Sequence, residues 1–232
     1  YNWIRNSSPA VAYAYTSNKF LVVWAQSFQP AVSSDIVGQA LNSTGSLSGE
    51  KIFIYDDPGD SSGRRGLEPD LAYNVSRNEY LVAWEYEYSG SDHDIYARRV
   101  TGNGGVLQPL TIVLASSDRH EKYPSVAALP AADQYLVVWD YQYSDTDHDI
   151  SGRFVTGAGA AGTELGIIST GLNQTRPAVA GLNGPREYLV TWSQKSGSQV
   201  VFQSIYGREV TSGGAQSTTR SLGGLSRSPE QV

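Results

Sequence analysis

The sequence predicts an all-β fold made of four tandem copies of a four-stranded antiparallel unit. Three observations predict it. A proline-led run recurs as "SPAVAY", "EPDLAY", "YPSVAA" and "RPAVAG", with Pro9, Pro69, Pro124 and Pro177. An apolar run ending in tryptophan follows each, as "FLVVWA", "YLVAWE", "YLVVWD" and "YLVTWS", with Trp24, Trp84, Trp139 and Trp192. A third run opens at Asp35, Asp94, Asp149 and Ser204, as "DIVGQAL", "DIYARRV", "DISGRFV" and "SIYGREV". Prolines and tryptophans both advance by 60, 55 and 53 residues, so the copies share one ordered plan.

Each run earns its place by its chemistry. The proline-led run carries small alanines (Ala12, Ala72, Ala127, Ala180), which suit a crowded inner strand. The tryptophan run is apolar at consecutive positions, the mark of a strand covered on both faces. Its opening aromatics (Phe20, Tyr80, Tyr135, Tyr188) and its tryptophans are expected to pack between units. The polar links "TSNK", "NVSRNE", "PAADQ" and "NGPRE" read as hairpins, as do the glycine-rich "NSTGSLSG", "TGNGGVLQ", "TGAGAAG" and "TSGGAQ". A weak fourth run follows: "KIFIY", "PLTIVL", "LGIIS" and "TTRSL". Tandem four-stranded units of roughly 40–50 residues are the pattern of a β-propeller. The expected blades span about 8–56, 68–115, 123–170 and 176–222. "YNWIR" (1–5) and "SPEQV" (228–232) read as partial strands of incomplete end blades, so 1–232 is one propeller domain or a piece of one.

Composition narrows the function. The net charge is −6, which argues against a nucleic-acid or anionic-membrane partner. No apolar run approaches about 18 residues, so no membrane insertion is expected. Absence of cysteine excludes disulfides, thiolate zinc sites and a cysteine nucleophile. The chain lacks methionine even at position 1, which suggests processing or a longer parent. No G-x-S-x-G or P-loop is present, and no G-x-G-x-x-G at a strand–helix junction, since the glycines of "TGAGAAG" join two strands.

The pattern P-x-V-A-Y…Y-L-V-V-W…D-I-Y-G-R-x-V resembles the blades of uncharacterised secreted or surface propellers of bacteria. The resemblance covers 8–222 and implies a propeller in an extracellular or cell-surface setting. It implies no reaction. The fourth blade departs from it, with Ser204 for the aspartate and the link "SQKSGSQVVFQ".

One rim of such a ring gathers the "EYEYSGSDHD" and "DYQYSDTDHD" segments, read as loops between the second and third strands. Beside them lie "DDPGDSSGRRGLE" and "SSDRHEK", bringing all three histidines (His93, His120, His148) to that rim. The arginines of "GRRG" are expected to pair with Asp56, Asp57 or Asp60. Tyr86, Tyr88, Tyr141, Tyr143, His93 and His148 are the candidate ligand-binding residues. Three readings compete for the Asp-His-Asp element. It is a turn-fixing aspartate, which Asp35 supports by occupying the same place alone. It is a calcium site built by Asp92, Asp94, Asp145, Asp147 and Asp149. Or its carboxylates act on a glycoside. Repetition counts against the third, because a catalytic centre sits once per ring whereas a binding or structural element recurs; no catalytic residue is therefore assigned. Zinc at His93 and His148 lacks a third recurring partner. The expected function is a non-enzymatic extracellular binding, adhesion or scaffold module whose tyrosines meet carbohydrate or protein. The alternatives are a carbohydrate-active enzyme of the glycoside hydrolase type, and a structural subunit that self-associates through its incomplete end blades.

Overall fold

The computed structural model describes residues 3–29, 33–56, 63–108, 111–184, 187–196 and 202–223. They form four antiparallel blades of a β-propeller. Blade 1 comprises β1 (Trp3–Ala14), β2 (Lys19–Gln29), β3 (Ser34–Asn42) and β4 (Leu47–Tyr55). Blade 2 comprises β5 (Arg65–Asn74), β6 (Glu79–Ser89), β7 (Asp92–Thr101) and the short β8 (Ile112–Ala115). Blade 3 comprises β9 (His120–Leu129), β10 (Gln134–Ser144), β11 (Asp147–Thr156) and β12 (Ala161–Ile168). Blade 4 comprises β13 (Asn173–Leu182), β14 (Glu187–Ser196), β15 (Phe202–Thr211) and β16 (Arg220–Gly223).

Burial explains why the second strand of each blade is so apolar. β6 and β10 lie between neighbouring blades and β14 packs on blade 3, and Trp84, Trp139 and Trp192 are fully buried there. Trp84 and Val82 pack against Leu21, Val23 and Ile54 of blade 1. Trp139 and Val137 pack against Leu81, Ala83 and Leu114 of blade 2. Trp192 and Val190 pack against Leu136, Val138 and Ile167 of blade 3. Trp24 is only half-buried, because its face is the first face of blade 1. Each such tryptophan removes roughly 150–250 Å² from water.

The aromatic that opens this strand carries a second function. The hydroxyls of Tyr80, Tyr135 and Tyr188 donate to the backbone carbonyls of Lys19, Glu79 and Gln134, at 3.3, 3.3 and 3.5 Å. Each acceptor is the first residue of the second strand in the preceding blade. Phe20 holds the same place in blade 1, where β1 ends the pairing path and no blade precedes it among the described residues.

The inner strands begin earlier than their prolines suggest. Ser8, Glu68, Tyr123 and Arg176, each just before its proline, sit at φ of 51°, 44°, 53° and 53°. This left-handed kink is a bulge, seen as register shifts at Ser7/Ala10, Leu67/Asp70, Val138/Asp140 and Thr175/Ala178. Proline is tolerated because the inner strand is the free edge of its blade. Above the bulge the strand resumes pairing, so each blade starts some residues before the expected boundary. Trp3, Ile4 and Arg5 therefore belong to β1, paired with Gln29, Phe28 and Ser27, and are not the end of a preceding blade. The expected partial strand 228–232 lies outside the described residues.

The inner strands also hold one another. Asp70 Oδ2 accepts the Val126 N–H at 2.9 Å, and Ser125 Oγ accepts the Val179 N–H at 3.3 Å. At the top of each seam a single parallel bridge joins the third strand to the next inner strand: Ser34 to Arg65, His93 to His120, His148 to Asn173. The opposite rim is closed by tight turns, where Asn78 and Asp133 carbonyls accept the N–H of Gly102 and Gly157 at 2.7 Å. A side chain at either glycine would strike Asn78, Ser17, Arg77 or Asp133.

Removing one inter-blade hydroxyl tests this description. Tyr135→Phe is expected to lower unfolding free energy by about 1 kcal/mol, while Phe20→Tyr changes it by less than about 0.5 kcal/mol. Urea denaturation of the two variants checks the contrast.

Candidate functional site

The strands run further toward the open rim than their sequence suggests. β6 reaches Ser89 and β7 starts at Asp92, leaving Gly90 and Ser91 as the turn. β10 and β11 leave only Asp145 and Thr146. The Asp-His-Asp element is therefore strand, not loop. Alternation sends His93 to one face and Asp92 and Asp94 to the other.

Both histidines are engaged internally. His93 Nδ1 lies 2.6 Å from Glu85 Oε1, with both residues buried. His148 Nδ1 lies 2.7 Å from Asp140 Oδ1. Glu85 and Asp140 each follow the blade tryptophan, a place taken by Ala25 in blade 1 and Ser193 in blade 4. The acid and the histidine thus occur together, in blades 2 and 3. Burial raises the Asp140 carboxyl against the pull of His148. His93 also meets His120 edge to face, with ring centroids 4.7 Å apart. Burial, then the charges of Lys122 and His93, hold His120 below the usual imidazole range.

The tyrosines separate into two kinds. Tyr86 is buried, stacked on Tyr96 at 4.5 Å and edge-on to Tyr55 at 5.6 Å, so it belongs to the blade 1–2 core. Tyr141 is half-buried in a cleft between blades 2 and 3. Tyr88 and Tyr143 stand exposed on the rim, each under an arginine: Arg64 at 5.1 Å and Arg119 at 4.9 Å. Each arginine is the residue just before its blade's inner strand. The basic pair of "GRRG" is thus placed differently than expected. Arg64 covers Tyr88, and Arg65 pairs with buried Glu87; Asp57 and Asp60 lie outside the described residues.

The aspartates do not converge. Among the described residues no group of three or more His, Asp or Glu side chains could hold a metal ion. Asp149 instead accepts the Ser169 hydroxyl at 3.0 Å and the Thr170 N–H at 3.2 Å, fixing the connection to the next blade rather than its own turn. Asp145 is exposed in the turn and Asp147 half-buried. Burial, then the charge of Asp92, pushes Asp94 up to about 6, opposed by the Tyr96 hydroxyl and His93.

One further carboxyl escaped the sequence reading. Glu121 on β9 is buried, with Ser117 Oγ donating to its Oε1 at 2.5 Å. Its Oε2 has no hydrogen-bond partner among the described residues. Burial first, then the charges of Asp94, Glu164 and Asp92, push it up to about 7, against the Ser117 hydrogen bond. The matching residues above the other three bulges are Asn6, Gly66 and Gln174, so this acid occurs in one blade. Glu121 lines a cleft of about 340 Å³ between blades 2 and 3, with Ser117, Tyr141, Arg153 and Glu164. Arg153 lies 3.6 Å from Glu164, which is 45% exposed. The signal was the singularity of Glu121 at a repeated place, visible once the bulges align the inner strands.

No family model matches the sequence, and no curated protein matches it. Solved structures do match. An α-L-arabinofuranosidase from Fusarium graminearum aligns with TM-score 0.65 at 13% identity, over 91% of this chain and 68% of that one. An α-L-arabinanase from Penicillium chrysogenum aligns with TM-score 0.63 at 15% identity, over 92% and 69%. An N-acetylgalactosamine deacetylase from F. plautii aligns with TM-score 0.61 at 10% identity, over 94% and 69%. At these identities the likeness establishes the propeller fold. It also corrects the expectation of a non-enzymatic binding, adhesion or scaffold module, since these fold-mates are glycan-processing enzymes.

Burial of Glu121 sets a pH dependence. Its folded-state value lies above its unfolded one, so its share of stability is full below about pH 4.5 and is lost as pH rises through about 7. Wild type is expected to lose about 1–3 kcal/mol across that window through this group, and Glu121→Gln to flatten the loss. Denaturant midpoints from pH 4.5 to 7.5 check it.

Proposed function

We propose that the protein is a carbohydrate-active enzyme of the glycoside hydrolase type, working in the cleft between blades 2 and 3. One observation carries the reading. A buried carboxyl at about 7 and an exposed carboxylate, Glu121 and Glu164, line the same cleft. Glycoside hydrolysis needs such a pair, one group holding a proton near neutral pH and the other accepting one.

In this reading Glu121 donates its proton to the glycosidic oxygen as the bond from that oxygen to the anomeric carbon breaks. Water adds to the anomeric carbon, and its proton passes to Glu164. Tyr141 offers a ring face for a sugar, and Arg153 beside Glu164 orients that carboxylate. Asp94 and Asp92 act at one remove, since their charges keep the Glu121 proton in place. The similar arabinanase is complexed with arabinobiose and the similar deacetylase with blood group B trisaccharide, which supports a carbohydrate substrate. An extracellular or cell-surface setting, which the blade motif's resemblance implies, suits a polysaccharide substrate.

Sugar release from arabinose and galactose oligosaccharides tests the reading. Glu121→Gln should lower kcat by about 10²–10⁴-fold, and Asp145→Asn, in the exposed turn, should leave it within about twofold. Asp94→Asn removes a charge that raises Glu121, so the alkaline limb of the rate profile should move to lower pH. Unchanged turnover in Glu121→Gln would sink the assignment.

A further inference from the structure

The seam between blades 1 and 2 differs from the other two in its charge. Three residues before each bulge residue stand Arg5, Arg65, His120 and Asn173. Two successive arginines thus occupy one repeated place, and both line a pocket of about 190 Å³ with Ser7, Ser27 and Ser34. That volume suits a single sugar ring rather than a large ligand.

The donors and acceptors in this pocket specify its occupant. Arg65 gives one N–H to buried Glu87 and keeps the rest of its fork. Arg5 is exposed and has no carboxylate partner among the described residues. Among the described residues the pocket is thus lined by two cations, of which one is paired with a carboxylate. Ser34 Oγ already donates to the Gly66 carbonyl at 2.7 Å, and Ser27 Oγ to the Arg5 carbonyl at 3.4 Å. With its proton committed, the Ser34 hydroxyl offers a ligand only acceptor capacity, while the long Ser27 contact leaves that hydroxyl able to accept or donate. The complementary ligand carries an anion for the guanidinium forks and hydroxyl donors for the serines.

We infer that this pocket binds the carboxylate-bearing ring of an acidic glycan, a uronic acid residue. The inference rests on the reading of this rim as glycan-handling, and it deepens that reading by naming the substrate class. A planar carboxylate matches the guanidinium fork, and its hydroxyls match Ser27 and Ser34. The seams with His120 and Asn173 lack the cation pair, so the acidic ring has one place on the described rim.

Calorimetric titration of the whole chain with tri-galacturonate, neutral galactotriose and inorganic sulfate tests this, with sugar release measured in parallel. Tri-galacturonate should bind at least about tenfold more tightly than galactotriose, and sulfate should not compete at equal concentration. Arg5→Gln should erase the preference, and Arg5→Lys should restore part of it, with the melting temperature unchanged in both. Equal affinity for the charged and neutral trimers, a preference that survives Arg5→Gln, or sulfate competing as well as the trimer would each overturn it. The two readings fail separately. Arg5-dependent binding without cleavage would remove the hydrolase reading alone. Glu121-dependent cleavage of galactotriose with no tri-galacturonate binding would remove this one alone.

Discussion

Each blade of this protein is finished by the blade before it. The tryptophan strand has apolar side chains on both faces and cannot be buried by its own sheet. Its neighbour supplies the cover, and the tyrosine hydroxyl fixes the two at one height through a backbone carbonyl. That hydroxyl would be costly to bury unpaired, which favours this docking over a slipped one. Phe20 marks the limit of the rule, because its blade has no predecessor among the described residues.

The same docking decides what reaches the rim. The bulge before each proline lets the inner strand resume pairing above it, so at least three residues of each inner strand rise to the top of the seam. Those positions are where the blades differ: Arg5 and Asn6, Arg65 and Gly66, His120 and Glu121, Asn173 and Gln174. A left-handed conformation at a non-glycine residue costs about 1–3 kcal/mol, and it is held in all four blades. The repeat is thus a scaffold with a variable row at the top of its seams, and Glu121, Arg5 and Arg65 stand in that row. Glu121 takes its raised proton affinity from the seam that buries it and from acids across it.

Much of this was legible in the sequence. Blade number, strand order, the buried tryptophans and the packing of Tyr80, Tyr135 and Tyr188 all follow from spacing and residue type. The strand ends did not, because turn-rich residues such as Ser-Gly-Ser conceal a two-residue hairpin, and because a proline reads as a start when it sits inside an edge strand. The partners of His93 and His148 were hidden for a related reason. Glu85 and Asp140 lie eight residues upstream on the adjacent strand, and only the pairing register brings them into contact. Glu121 was overlooked because its loop string was read as one acidic rim, whereas its burial comes from the next strand and the cleft wall.

The seam between blades 2 and 3 is expected to keep a proton on Glu121 near neutral pH. A carboxyl-carbon NMR titration, assigned by difference against Glu121→Gln, measures this directly. A midpoint near 7 is the predicted result, about 2 to 3 units above an ordinary glutamate. A midpoint near 4.5 would contradict the account, since Glu121 would then carry no proton to give.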